Sequence, residues 1–172
     1  MKKSAKLKAE SLMAKIRAIA RHRRNVEDNC LLLGERLIYT GEFELGKQLI
    51  ANGGIHDISK FYGIEFEFMA PGVPTEEETA KLKLKLAIQQ HNTTNKHHPE
   101  AWSGGIKDMP DVYIAELVCD CKARSEEQAS DFRSWVDTVA TKKWNFTTGD
   151  EVYQKITKYI NILCDQPFKA IE

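Results

Sequence analysis

The sequence predicts an all-α domain of about six or seven helices, and three observations carry that prediction. Apolar residues recur at helical spacing over most of the 172 residues. Clusters of Gly, Asn and Pro cut the pattern at intervals of helix length. Strand-type alternation is confined to Ile64-Glu65-Phe66-Glu67-Phe68, which reads equally well as a loop. No internal repeat or low-complexity segment interrupts the chain, and its length suits one domain, 1–172, with a full core.

The elements follow in order. Leu12, Ile16 and Ile19 form one stripe; Val26, Cys30, Leu33, Leu37 and Ile38 form another. A short apolar segment over 43–50 ends at the Asn52-Gly53-Gly54 break, and His56-Asp57 opens the next turn with Ile58 and Phe61. Residues 69–75 read as a loop. Thr75-Glu76-Glu77-Glu78 then reads as a helix start: the hydroxyl caps free N–H groups and the acids face the positive end of the dipole. That helix runs through Leu82, Leu84, Leu86 and Ile88 to His91 and stops in the polar residues 92–98 before Pro99. Gly104-Gly105 and Pro110 bound a connector, and helices are expected at about 111–124, 126–142 and 150–164.

Charge narrows the function classes. Lys plus Arg and Asp plus Glu number 25 each, so the formal net charge is zero. A protein that grips nucleic acid by its phosphates is usually strongly basic, so a nucleic-acid partner is not expected. The first 24 residues differ, with Lys2, Lys3, Lys6, Lys8, Lys15, Arg17, Arg21, Arg23 and Arg24 against Glu10. They form either a solvated helix face or a surface for a polyanionic partner. The start has no apolar stretch of the signal-peptide type, and no window approaches the ~18–20 apolar residues of a membrane span. Cys30, Cys119, Cys121 and Cys164 include no Cys-x-x-Cys pair and read as reduced, mostly buried thiols. A cytoplasmic protein without a membrane partner is expected. The amphipathic stretches at about 5–20 and 126–163 offer a surface for a homodimer.

The chemistry-bearing residues are concentrated. All five histidines lie between residues 22 and 98, in the order His22, His56-Asp57, His91, His97-His98, with Asp120 beyond them. Imidazole plus carboxylate is the ligand set of borderline divalent metals. One such residue is usually a satisfied core or surface group; several together at helix ends weaken that reading. The glycine break before His56-Asp57 lets neighbouring side chains point at one centre. Asp120 ends the run Ile114-Ala115-Glu116-Leu117-Val118-Cys119-Asp120, where a carboxylate is costly to bury unless paired or metal-bound. The alternative places it on a polar face.

The order His22, His56-Asp57, Asp120 resembles the signature of the HD-domain superfamily of metal-dependent phosphohydrolases. Three strings add to it: His56-Asp57-Ile58-Ser59-Lys60-Phe61 with Glu65-Phe66; residues 87–91 running on to His97-His98-Pro99-Glu100-Ala101-Trp102; and residues 109–124. With His22-x-x-x-Val26 they are similar to a small uncharacterised HD-like family of bacteria and phages. The likeness covers residues 20–125, a metal-site core between a basic N-terminal helix, 1–20, and C-terminal helices, 126–172. It implies an HD-like bundle in which His22, His56, Asp57 and Asp120 hold a first divalent metal (Mn, Co, Ni, Fe, Zn or Mg). His91 would extend this to a second metal, with one of His97 or His98 as a further candidate. No histidine lies between Asp57 and His91, where many two-metal members carry one.

The resemblance implies hydrolysis of a small phosphorylated substrate, a nucleotide first among them, by a metal-activated water with Asp57 at the metal. Lys60, one turn beyond Asp57, is a candidate to reach the phosphate, or else a surface ion-pair partner. Glu65 is a candidate to position water or protonate the leaving oxygen, or an ordinary exposed acid. His97, His98 and Arg124 are candidate phosphate contacts; Arg124 and Lys122 could equally pair with Glu126 or Glu127. Trp102 is a base-stacking candidate or a core residue. Cys119 and Cys121 flank Asp120 and read as packing residues. No Walker-type loop and no Gly-x-Ser-x-Gly elbow is present. The rival readings are a di-iron oxygenase of the HD type and a non-catalytic bundle that senses a ligand or binds a partner.

Overall fold

The computed structural model describes residues 2–69 and 78–165, and among these are seven helices and no strand. The all-α expectation holds. The helices are α1 (Lys2–Tyr39), α2 (Phe43–Ile55), α3 (Gly63–Phe68), α4 (Glu78–Thr94), α5 (Asp111–Glu127), α6 (residues 132–143) and α7 (Glu151–Asp165). A π turn, Val136–Ala140, sits inside α6. Single 3₁₀ turns at Ile58–Phe61, Pro99–Ala101 and Gly105–Asp108 punctuate the connections. None of the described helices is long and apolar enough to cross a membrane.

The two N-terminal stripes belong to one 38-residue helix, α1. Leu12 and Met13 are exposed, whereas Val26, Cys30, Leu33 and Leu37 are fully buried. The helix closes in a Schellman arrangement: Glu42 N–H bonds the Leu37 carbonyl at 2.8 Å, Gly41 N–H bonds Ile38 at 3.1 Å, and Gly41 takes φ 96. The chain then returns along α1 as α2.

Glycines set how close that return is. A Cβ on Gly46 would press into the Gly34 carbonyl oxygen and lie 2.8 Å from Ile38 Cγ1; one on Gly53 would lie 2.6 Å from Cys30 Cβ. Asn52-Gly53-Gly54 therefore does not end the helix, as the sequence suggested. Gly53 lets α2 continue to Ile55 in backbone contact with α1. Gly46→Ala is expected to cost about 2–3 kcal/mol through overpacking, read as a lowered midpoint in thermal or urea unfolding. An unchanged midpoint would disprove the close-packed seam.

Helix α5 is the centre of the core, burying Ile114, Ala115, Leu117, Val118, Cys119 and Ala123 against α1, α2 and α7. Asn29 of α1 donates to the Cys119 carbonyl at 3.2 Å. Arg36 donates to the Ile162 and Leu163 carbonyls at 2.6 and 2.9 Å, satisfying free acceptors at the end of α7. The expected starts at 111 and 150 fall within a residue of the observed ones; the one expected at 126 does not, because α5 runs on to Glu127 and α6 begins at Phe132.

Two segments differ from expectation. The alternating stretch 64–68 is helical, because its buried residue is Glu65, flanked by half-buried Ile64 and Phe66. In α4 the buried residues are Ala87 and His91, while Leu82, Leu86 and Ile88 are exposed. Packing of this helix follows the histidine rather than the leucines, and it runs past His91 to Thr94. The predicted cap at Thr75 and most of the 69–75 loop lie outside the described residues.

Candidate metal centre

The site begins at a backbone corner. After α2, His56 is extended and Asp57 takes the left-handed conformation, φ 52 and ψ 25. A residue with a Cβ pays for that conformation, although Asp tolerates it better than most. Arg23 of α1 pins the corner, donating Nε–H to the His56 carbonyl at 2.6 Å and Nη2–H to the Gly54 carbonyl at 3.1 Å. Its guanidinium also lies over the Phe61 ring, 5.4 Å from the centroid. One member of the basic N-terminal run is thus structural, not part of a solvated face. The corner directs two consecutive side chains, each 2% exposed, toward one point: His56 Nε2 is 3.4 Å from Asp57 Oδ2.

Other helices bring further donors to Asp57. His22 Nε2, from α1, lies 3.9 Å from Asp57 Oδ2 and 3.0 Å from Asp120 Oδ1 of α5. His91 Nε2, from α4, lies 3.2 Å from Asp57 Oδ1, and His97 Nε2 lies 3.4 Å from the same oxygen. His98 Nε2 is 3.0 Å from His91 Nε2. Several of these contacts are close without hydrogen-bond geometry: His22 Nε2, His56 Nε2, His97 Nε2 and Asp57 Oδ1 are buried and have no hydrogen-bond partner. Buried polar atoms are rarely left so. Ligands at about 2.1 Å from one ion sit about 3.0 Å apart in an octahedron and about 3.4 Å in a tetrahedron. The observed spacings fit donors arranged around ions better than donors bonded to one another. The groups Asp57, His91, His97, His98 and His22, His56, Asp120 are each compact enough to hold a metal ion.

Behind the inner nitrogens stands a set of carboxylates. His22 Nδ1 meets Glu127 Oε1 at 3.0 Å, and His91 Nδ1 meets Glu65 Oε2 at 2.8 Å. Glu116 Oε1 serves two rings, His56 at 3.0 Å and His97 at 3.2 Å. These acids are themselves held, Glu127 by Asn25 (3.1 Å), Glu116 by Asn52 (3.0 Å) and Glu65 by Ser59 (2.7 Å). A carboxylate accepting Nδ1–H fixes the tautomer that leaves an Nε2 lone pair facing inward, as metal-bound histidines require.

The electrostatics agree. Burial would raise the Asp57 and Asp120 carboxyls, but the surrounding imidazoles, with Lys60 for Asp57, hold both well below the usual range. Glu116 is brought down to about 2 against burial by its bonds to His56 and His97. Burial lowers His91, and burial with the neighbouring His97 and His91 brings His98 down to about 3. His56 is the exception: burial pushes it down, yet Asp57 and Glu116 outweigh burial and hold it at about 10.

A pH dependence follows from His56. In the metal-free protein its raised value contributes stability that is fully present below the ordinary 6.5 and lost as pH rises through about 10. A metal needs the neutral ring, so binding at neutral pH must expel a proton. Calorimetric binding enthalpies are expected to vary with the ionisation enthalpy of the buffer, and metal affinity to climb as pH rises. Buffer-independent heats would contradict this picture.

The remaining sequence candidates separate. Lys60 bonds Asp57 Oδ2 at the edge of the centre. Glu65 is 1% exposed, stands behind His91, and is engaged by His91 and Ser59. His97 lies among the inner donors, its Nε2 beside Asp57 and its Nδ1 at Glu116. His98, Asp120 and Arg124 line a cavity of ≈ 260 Å³ beside the centre. Arg124 touches Glu127 at 3.2 Å, and Lys122 pairs with Glu126. Trp102 is no stacking platform there; it packs on Tyr113 and donates to the Lys96 carbonyl at 2.8 Å. Burial raises the Cys119 and Cys121 thiols well above their usual value, in keeping with packing roles.

The sequence reading missed Glu116 and Glu127. Helical spacing contained the signal: they lie four residues before and seven after Asp120, on the face that Asp120 defines. A family model matches residues 12–165. The chain belongs to DUF5662, a family of unknown function. No curated protein and no solved structure matches it. The DUF5662 match spans all of the histidines and carboxylates described here, together with the C-terminal helices that wall the cavity.

Proposed function

We propose that this chain is a metal-dependent phosphohydrolase acting on a small phosphate ester, with a nucleotide as the first candidate. The observation that carries the reading is the buried convergence of histidine Nε2 atoms and two aspartates, every outward Nδ1 of His22, His56, His91 and His97 being held by a carboxylate. His22, His56, Asp57 and Asp120 would hold one ion. His91, His97 and His98 with Asp57 would hold a second, which makes Asp57 the shared ligand. A set this rich in imidazole favours Mn, Fe, Co, Ni or Zn over Mg. When bound, such ions polarise a phosphoryl oxygen and an attacking water.

The chain's own residues supply the rest. Lys60, bonded to Asp57, places an ammonium at the edge where a phosphoryl oxygen would approach. Arg124 offers a planar donor fork in the adjoining cavity. Glu65, Glu116 and Glu127 fix ring orientation, so the donors need no rearrangement to receive an ion. The likeness of His22, His56-Asp57 and Asp120 to the HD-domain signature supports the same reaction class. Members of that superfamily that oxidise rather than hydrolyse use an iron pair.

The test is metal analysis of the purified protein together with a phosphate-release screen over phosphate esters with added manganese, cobalt, nickel, iron or zinc. Bound transition metal and metal-dependent release of phosphate, both abolished by chelator, are expected. Iron content with an oxygen requirement would move the assignment to oxidative cleavage. Absence of both bound metal and metal-dependent turnover would overturn the enzymatic reading.

A further inference from the structure

The cavity beside the centre is lined jointly by the segment that carries the HD-like signature and by residues beyond it, Trp135, Lys143 and Trp144 among them. Asp120 and His98 form its inner end; Arg124, Lys143, Trp135 and Trp144 line it farther out. Among the described lining residues Asp120 is the one acid, against two cations, Arg124, which meets Glu127 at 3.2 Å, and Lys143. Among the described residues no carboxylate lies within ion-pair distance of Lys143; its ammonium lies over the Trp144 ring, 4.9 Å from the centroid. The Trp144 indole Nε1 is buried without a hydrogen-bond partner. Trp135 meets Trp144 edge to face, centroids 5.7 Å apart and planes at 77°. The two tryptophans flank the π turn Val136–Ala140, a local irregularity that often marks functional helices.

We infer that this cavity recognises the organic part of the substrate and takes a single flat heterocyclic ring, so that the ester is a mononucleotide rather than a sugar or aliphatic phosphate. The inference rests on the phosphohydrolase reading for the position of the phosphate, and on the cavity itself for the ring. An indole face offers stacking to any base. Lys143 and Arg124 supply charge for the phosphate that joins ring to metal centre. At ≈ 260 Å³ the cavity falls below the usual ~300–1,000 Å³ of sites for larger ligands, which favours one ring system over a dinucleotide.

The experiment is calorimetric titration of the full chain with the nucleoside 5′-monophosphates and with ribose 5-phosphate, in chelator so that no turnover intervenes. At least one nucleotide is expected to bind about tenfold or more tighter than ribose 5-phosphate, the scale of base–aromatic stacking. Trp144→Leu should erase that preference, and Trp144→Phe, which keeps a smaller ring, should reduce it in part. Lys143→Gln should weaken both ligands by a similar factor. Equal affinity for nucleotide and ribose phosphate, or a preference that survives Trp144→Leu in a chain of unchanged helicity, would overturn the inference. Turnover of simple esters without nucleotide preference would sink this inference alone. Nucleotide preference without metal-dependent turnover would sink the hydrolase reading alone.

Discussion

Asp57→Asn is expected to reduce metal-dependent phosphate release by at least about 10³-fold while the chain stays folded. Asn is the variant of choice because it accepts the left-handed φ of 52 that residue 57 adopts, so the corner after α2 survives. The carboxylate it replaces faces His56 through one oxygen and His91 and His97 through the other. Loss therefore reaches both proposed ions, and metal content by plasma mass spectrometry should fall with turnover. His91→Ala, by contrast, touches one ion's ligands and should leave partial metal content. Full occupancy and full turnover in Asp57→Asn would refute the shared-ligand role.

Glu116→Gln carries the second large effect. One oxygen of Glu116 accepts from both His56 and His97, and the other accepts from Asn52. A neutral amide has one carbonyl oxygen, so it cannot accept from all three, and its NH₂ would face a ring N–H or Asn52. Loss of an orienting carboxylate typically costs 10–100-fold in metal affinity or activity. With two rings disturbed at once, a loss of about 100-fold is expected, measured by competition against a chelating dye. The same substitution removes a partner that keeps His56 protonated, so fewer protons should be released on metal binding. An affinity within twofold of the parent chain would show that packing alone orients these rings.

The helical class was legible because periodicity reports which face is buried, and α5 and α7 follow it closely. The inner histidines stood out because histidine is rare and sits here beside apolar residues. What the sequence hid was identity of role among common residues. Glu65 and Glu116 look like surface acids until the histidines behind which they stand are placed in space. Arg23 looks like one charge in a basic run, yet it ties α1 to the His56 carbonyl. Gly53 looks like a stop, because a glycine that breaks a helix and one that lets two helices touch are the same letter. His97 and His98 are adjacent in sequence yet face different neighbours, which no spacing rule separates. The leucines of α4 misled in the opposite sense: hydrophobicity suggested burial, but the site end of that helix decides which side faces inward.

Helix α5 carries Glu116, Asp120 and Glu127 on one face, and this turns chain register into a ruler for the candidate metal centre. At about 1.5 Å per residue the three acids are spaced at about 6 and 10.5 Å along one rigid rod, independent of any loop. One residue inserted between Glu116 and Asp120 would turn one about 100° further around that rod relative to the other, leaving His56 and His97 served while His22 lost its acid, or the reverse. The distance between the two halves of the centre is thus written into helix pitch. A residue gained or lost along that stretch is therefore felt at the centre directly, with no loop to absorb it.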